Sequence, residues 1–183
     1  DIMKYIALLR GINISGKNKI SMSELKLELE KNNYQNVSTY LNSGNVIFES
    51  DIDNKESIMR DINRIIKNEF NLKIPIFVMT AFELADILSN YPNWWGTDDK
   101  GIYDNLIFII PPTKYEEIYQ TIGKPREGIE KIKEYNNSIF WSYDLKNYRK
   151  SNWWSKTAST NISGKITIRT ANTMRKVLEI CNK

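Results

Sequence analysis

Apolar positions along this chain alternate between two rhythms, and each rhythm predicts an element. Tyr5 to Ile12 is an almost unbroken apolar run of strand length. Ile20-Ser21-Met22-Ser23-Glu24-Leu25 then carries a helix start. Ser21 stands as the cap, Glu24 lies three residues on, and Ile20 is placed to staple against Leu25, so a helix is expected to about Asn33. Val37–Asn42 and Asn45–Ser50 are short β-rich runs on either side of a Ser43-Gly44 hairpin turn. Asp53 and Glu56 mark a second helix start. Ile58, Met59, Ile62, Ile65, Ile66 and Phe70 follow at helical spacing and form one apolar stripe. Ile74–Thr80 is a strand whose Pro75 belongs at its start or on an edge. The order β-α-β-β-α-β over residues 4–80 is the ferredoxin-like plan, with one antiparallel sheet and both helices on one face.

The second half repeats that order. A short helix is expected over Phe82–Asn90, followed by a polar, aromatic-rich connector from Tyr91 to Gly101. Asn105–Ile110 is a strand, and Pro111-Pro112 opens a helix to about Ile122. Gly128–Tyr135 and Ser138–Tyr143 form a hairpin about Asn136-Asn137, Lys146–Lys156 is a weaker helical segment, and Ile166–Arg169 is a short strand. Ala171–Ile180 closes the pattern as a helix with Met174, Val177 and Leu178 on one face. The predicted class is α+β. Two ferredoxin-like subdomains, 1–81 and 102–183, stand in tandem about a helix and connector at 82–101, with an extra C-terminal helix. Asn13-Ile14-Ser15-Gly16-Lys17 recurs as Asn161-Ile162-Ser163-Gly164-Lys165, but at non-equivalent places in the two halves.

Composition narrows the chemistry. The chain has 183 residues, 41% hydrophobic, which is enough for a real core. Its longest apolar run, Leu106–Ile110, is far too short to cross a bilayer, and Arg10 and Gly11 interrupt any signal-peptide pattern, so a soluble cytoplasmic protein is expected. Met3 reads as the native start, with Asp1 and Ile2 as an appended remnant. The single cysteine, Cys181, excludes an internal disulfide and a multi-cysteine metal site. The absence of histidine removes His-based acid–base catalysis, Ser-His-Asp and Cys-His pairs, and His-ligated metals. No metal or cofactor is expected. No carboxylate pair stands out, and Asp98-Asp99 sits in a polar turn. Lys17 or Tyr40 would serve as a base only if its surroundings lowered its pKa.

The formal charge is +4, unevenly spread. From Leu145 onward Lys146, Arg149, Lys150, Lys156, Lys165, Arg169, Arg175, Lys176 and Lys183 face Glu179 alone, while the rest of the chain is net acidic. An anionic partner and a solvated basic face both fit this asymmetry. Gly11-Ile12-Asn13-Ile14-Ser15-Gly16-Lys17-Asn18 nearly matches the phosphate-binding loop G-x-x-x-x-G-K-[S/T], but Asn18 replaces the magnesium-holding hydroxyl and the helix is expected to start only at Ser21. What remains is a glycine-containing loop with Arg10 and Lys17 beside free N–H groups, able to hold an anion. In a ferredoxin-like sheet that loop shares an edge with the hairpin between strands two and three. Arg10, Asn13, Lys17 and Asn18 are therefore expected beside Ser43, Gly44 and Asn45. The competing expectation is that Gly44 serves the turn and the asparagines cap loops.

Tyr5–Leu9, Arg10-Gly11-Ile12-Asn13, Gly16-Lys17-Asn18 and Ser43-Gly44-Asn45-Val46 together resemble the bacterial domain-of-unknown-function 1697 family. The closing Thr167–Met174 resembles its terminal Thr-x-Arg-Asn-x-x-Thr-Val motif, although Asn172 stands further from Arg169 than in that motif. The resemblance covers the whole chain and is strongest over residues 4–50. It implies a cytoplasmic α+β protein with ferredoxin-like subdomains and no assigned activity. Arg10, Asn13, Lys17, Ser43, Gly44, Asn45 and Arg169 occupy the family's motif positions. Three functions then compete. The first is binding of a small anionic or phosphorylated ligand at the Arg10/Lys17/Asn45 edge. The second is single-stranded nucleic-acid binding through the basic C-terminal third, where Tyr148–Lys156 interleaves cations with Trp153 and Trp154. The third is a ligand-free interaction module, with Trp94-Trp95 as an exposed patch or a seal between subdomains. Where the tryptophan pairs lie separates them.

Overall fold

The N-terminal apolar run forms strand β1 (Met3–Leu9) at the interior of a four-stranded sheet in the computed structural model, which describes residues 1–159 and 161–183. Helix α1 (Met22–Lys31), strands β2 (Gln35–Tyr40) and β3 (Asn45–Ser50), helix α2 (Lys55–Phe70) and strand β4 (Ile76–Thr80) follow. The sheet order is β2-β3-β1-β4, and every pair is antiparallel. Alternate residues Tyr5, Ala7 and Leu9 of β1 and Val46 and Phe48 of β3 share one buried cluster with Leu25 and Leu29 of α1 and Ile58, Ile62, Ile65 and Ile66 of α2. Because strand side chains alternate between faces, both helices cover the same face.

Boundaries follow local chemistry. β1 ends at Leu9 rather than Ile12, because Gly11 turns the chain at φ +71° and leaves Ile12 buried within the loop. Ser21 caps α1 by accepting from the Glu24 N–H, and Ile20 and Leu25 are both buried in that cluster. The cap of α2 is Asn54, whose Oδ1 accepts from the Ser57 N–H at 3.0 Å, and not the neighbouring Asp53.

By contact density the described residues divide into two units, Asp1–Ala85 with Val177–Lys183, and Asp86–Lys176. Helix α3 (Ala81–Leu88) follows β4 directly. Strand β5 (Ile102–Ile109), helix α4 (Tyr115–Ile122), strands β6 (Glu130–Tyr135) and β7 (Ser138–Asp144), helix α5 (Asn152–Lys156), strand β8 (Ile166–Thr170) and helix α6 (Ala171–Cys181) complete the chain. The second sheet has the order β6-β7-β5-β8, again all antiparallel, so each strand repeats the place of its counterpart in the first. The first residue beyond the central strand makes the same bond in both sheets: Arg10 N donates to Pro75 O at 3.0 Å and Ile110 N to Lys165 O at 2.8 Å.

Two predicted elements are corrected. The helix expected from Pro111-Pro112 starts at Tyr115, after a cis bond between the prolines. Asn137 holds that start, accepting from the Tyr115 N–H at 2.8 Å and donating to Thr113 O at 3.1 Å. The segment expected as one helix over Lys146–Lys156 is a 3₁₀ turn (Leu145–Lys150) followed by α5. Ser151 separates them with extended backbone, caps the Trp154 N–H at 2.9 Å and donates its hydroxyl to Glu130 Oε1 at 2.6 Å. Glu130 is buried and also accepts from Trp141 Nε1, Asn152 N and Arg126 N, so this carboxylate knots the start of β6 to α5. Among the described residues no helix is long and apolar enough to cross a membrane.

Candidate functional site

β1 pairs with both β3 and β4, so its C-terminal end meets the β2–β3 turn, and Leu9 N donates to Gly44 O at 2.9 Å. The β1–α1 loop folds over that turn. Gly11, Asn13, Ser15, Gly16 and Asn18 all adopt positive φ, a conformation that glycine and asparagine tolerate best. Asn13 is the clasp. Its Nδ2 donates to Ile20 O at 3.0 Å and to Asn42 O at 2.7 Å, and its Oδ1 accepts from Ile20 N at 2.9 Å. Asn18 closes the loop from the other side, donating from Nδ2 to Gly11 O at 2.9 Å.

The turn is equally committed. Gly44 is buried at φ +91°, and a Cβ there would lie 2.8 Å from Leu9 Cβ and 2.9 Å from Ile12 Cδ1. Asn45 is fully buried, with Nδ2 donating to Tyr40 O at 2.8 Å and to Ser43 Oγ at 3.1 Å. The glycine admits close approach of the β1 end, and the asparagine amide holds the turn from inside. Ser43 is exposed.

The cations divide by environment. Arg10, at the end of β1, is half-buried, and burial lowers its pKa from the ordinary arginine value. Lys17 is exposed on the tight turn in which its N–H donates to Ile14 O at 2.8 Å. Arg169 is buried in β8 of the second unit, where its guanidinium donates to Thr167 Oγ1 at 2.8 Å and Ile168 O at 3.0 Å.

Beside the clasp lies a groove of about 550 Å³ lined by Asn13, Gly16, Lys19, Ile20, Ser21, Met22, Ser23 and Asn42. Its floor is the first turn of α1. Ser21 satisfies the Glu24 N–H, and Leu25 N bonds Ser21 O, which leaves the Met22 and Ser23 N–H groups without intrahelical partners. Two hydroxyls, one ammonium and the positive end of a helix dipole therefore face one concavity. Of the sequence candidates only Asn13 lines it. Lys19, Ser21, Ser23 and Asn42 enter through the fold. The signal for them was the Ser21 cap, which fixes where the helix begins but not what its first turn faces.

The tryptophan pairs split. Trp95 is buried, donating from Nε1 to Asn105 O at 2.7 Å, and Trp94 is half-buried. Trp153 is buried, donating from Nε1 to Gly123 O at 3.1 Å, so its ring is not open to stack on a base. Trp154 is exposed.

Comparison with known proteins adds a family and a solved relative. The family model described as Protein of unknown function (DUF1697) matches residues 2–140. The Thr167–Met174 run lies beyond that match. The structure of the conserved bacterial protein SP0830 from Streptococcus pneumoniae is similar, with 26% identity over 98% of each chain and a TM-score of 0.86. Curated proteins yield no match.

Proposed function

Since the chain belongs to the DUF1697 family of proteins of unknown function, we propose that it binds a small anionic or phosphorylated ligand where the β1–α1 loop meets the β2–β3 turn. The observation that carries this reading is the groove at the first turn of α1, where Lys19, the Ser21 and Ser23 hydroxyls and two N–H groups without intrahelical partners converge. The two hydroxyls bond one another at 3.0 Å, which leaves one hydroxyl proton, the ammonium and the two N–H groups as the complement of a phosphate or carboxylate. Lys17 is exposed and follows Gly16 of the lining, which keeps a second cation on the same loop. Arg10 adds a guanidinium at the end of β1, and the Asn13 clasp with the Gly44–Asn45 turn holds the loop in the binding geometry. The site is a cradle for an anion and not a triphosphatase centre, because Asn18 spends its amide on Gly11 O where a magnesium-holding hydroxyl would stand. Each unit, with its β-α-β-β-α-β order, is taken as ferredoxin-like, a plan that places this loop and turn on one sheet edge. A cytoplasmic location suits a protein for phosphorylated metabolites.

Thermal melting against inorganic phosphate, pyrophosphate, nucleotides and sugar phosphates tests the reading, since a ligand of the folded state raises the midpoint. At least one phosphorylated compound is expected to do so, and Lys19→Ala is expected to remove the shift. A midpoint that none of them moves, or a shift that survives Lys19→Ala, contradicts it.

A further inference from the structure

The basic stretch after β7 forms a surface with its own chemistry, separate from the groove in the first unit. Trp154 on α5 is 41% exposed and Tyr103 on β5 is 38% exposed. Each packs on a second ring. Tyr103 sits 5.4 Å from Tyr143, centroid to centroid, and Tyr148 sits 4.7 Å from Trp154, edge to face. Tyr103 and Tyr143 are register partners across β5 and β7, and the 3₁₀ turn that carries Tyr148 starts where Leu145 N donates to Gly101 O at 3.0 Å.

Cations border the rings. Arg149 lies over the Tyr148 face at 5.5 Å and donates from Nε to the Tyr148 hydroxyl at 3.0 Å. Lys146 and Lys150 are exposed on the same 3₁₀ turn. Carboxylates near the rings hold hydrogen bonds of their own: Asp99 accepts from Gly101 N at 2.8 Å and Asp104 from Ser142 Oγ. Asp144 accepts from Lys146 N and Asn147 Nδ2, and Glu130 is buried among its donors. The display is also rigid, because the buried Trp153 and the Ser151 cap fix the helix that carries Trp154.

Exposed rings interleaved with cations are the complement of an unpaired strand, whose bases offer π-faces and whose phosphates offer charge. A duplex hides its base faces, and α5, with five residues, is too short to lie along a groove. A membrane surface would call for a long amphipathic helix with an apolar face, which this turn-and-short-helix segment does not supply. We propose that the Tyr103–Tyr148–Trp154 surface of the second unit binds single-stranded nucleic acid, with bases stacked on Trp154 and Tyr103 and phosphates held by Lys146, Arg149 and Lys150. This is a second ligand in a different unit from the anion groove, and neither reading depends on the other.

Fluorescence titration of the full chain tests it, using an oligothymidylate of about 16 nucleotides, a duplex of the same length and phosphatidylserine vesicles. The single strand is expected to bind more tightly than the duplex, with a log–log salt slope of about −2 for three neutralised phosphates. Trp154→Ala should weaken binding roughly 5- to 150-fold, while Trp154→Phe, which keeps a ring, should recover most of that loss. The triple change Lys146→Ala/Arg149→Ala/Lys150→Ala should flatten the salt slope, and Lys19→Ala should change nothing. Trp154→Phe keeps a ring against Tyr148, so its melting midpoint should stay in place. Absence of binding at low salt, equal affinity for the duplex, an unaffected Trp154→Ala variant, or preference for the vesicles would each overturn the proposal.

Discussion

Single residues at the loop–turn edge do two kinds of work, and their hydrogen bonds separate them. Gly44 is there for space as well as for its turn. A methyl group at its Cα would meet Leu9 Cβ at 2.8 Å while holding a φ of +91° that L-residues avoid. Gly44→Ala should therefore destabilise the protein by about 2–4 kcal/mol, read from the urea midpoint at unchanged slope. A loss under about 0.5 kcal/mol would mean that the turn relaxes freely. Asn13 and Asn45 were candidates for a ligand, yet their amides bind backbone atoms of Ile20, Asn42 and Tyr40. The sequence marks such asparagines as polar residues near glycines. It does not show that Asn42 O stands 2.7 Å from Asn13 Nδ2, because 29 residues separate them along the chain. Lys17 and Lys19 look alike in sequence for the same reason. Only the helix start at Met22 decides which of them lines the groove.

Elements were legible where side-chain spacing and caps carried the information. The α2 stripe from Ile58 to Ile66 and the Ser21 cap fall where the pattern puts them, because both are local. The Asn136-Asn137 hairpin does too, with both residues at positive φ between β6 and β7. Misplaced boundaries trace to partners distant in sequence. The start of α4 is held by Asn137, and the break before α5 is held by Glu130, which gathers Ser151, Asn152 and Trp141. A Thr80–Glu83 capping box opens α3: Thr80 Oγ1 accepts from Glu83 N at 3.1 Å and Glu83 Oε1 from Thr80 N at 3.0 Å. The choice between Asp53 and Asn54 as the α2 cap turns on one residue and is testable. Asn54→Ala should cost about 1 kcal/mol in chemical denaturation, whereas Asp53→Ala should cost close to nothing. Equal costs would contradict the assigned cap.

On the scale of the whole molecule, two sheets share one strand order, and the repeated β-α-β-β-α-β rhythm carried that likeness in the sequence. The C-terminal residues were harder to place. Val177–Lys183 belong to the first unit, where Lys4 Nζ donates to Cys181 O at 2.7 Å, a pairing across nearly the full chain length that no local pattern encodes. Buried phenols give both units an alkaline limit. Burial, and then the neighbouring Tyr103 and Tyr148, push Tyr143 up to about 12 from an ordinary 10.0. Burial, and then the Asp61 carboxylate, raise Tyr34 in the first unit. A phenol whose folded pKa is raised contributes stability that is fully present below pH 10.0 and is lost as pH climbs toward 12. The unfolding free energy should fall across that window, and Tyr143→Phe should lessen the fall. A flat profile there would show that these rings are open to solvent.

The central claim is that an anion sits at the first turn of α1, under the clasped β1–α1 loop. Backbone amide NMR shifts during titration with inorganic pyrophosphate test it most directly, because they report position as well as binding. The account predicts saturable shifts concentrated at Gly16, Lys19, Met22 and Ser23, absent in Lys19→Ala. Unmoved amides at those four residues, or shifts confined to 145–156 of the second unit, would contradict it.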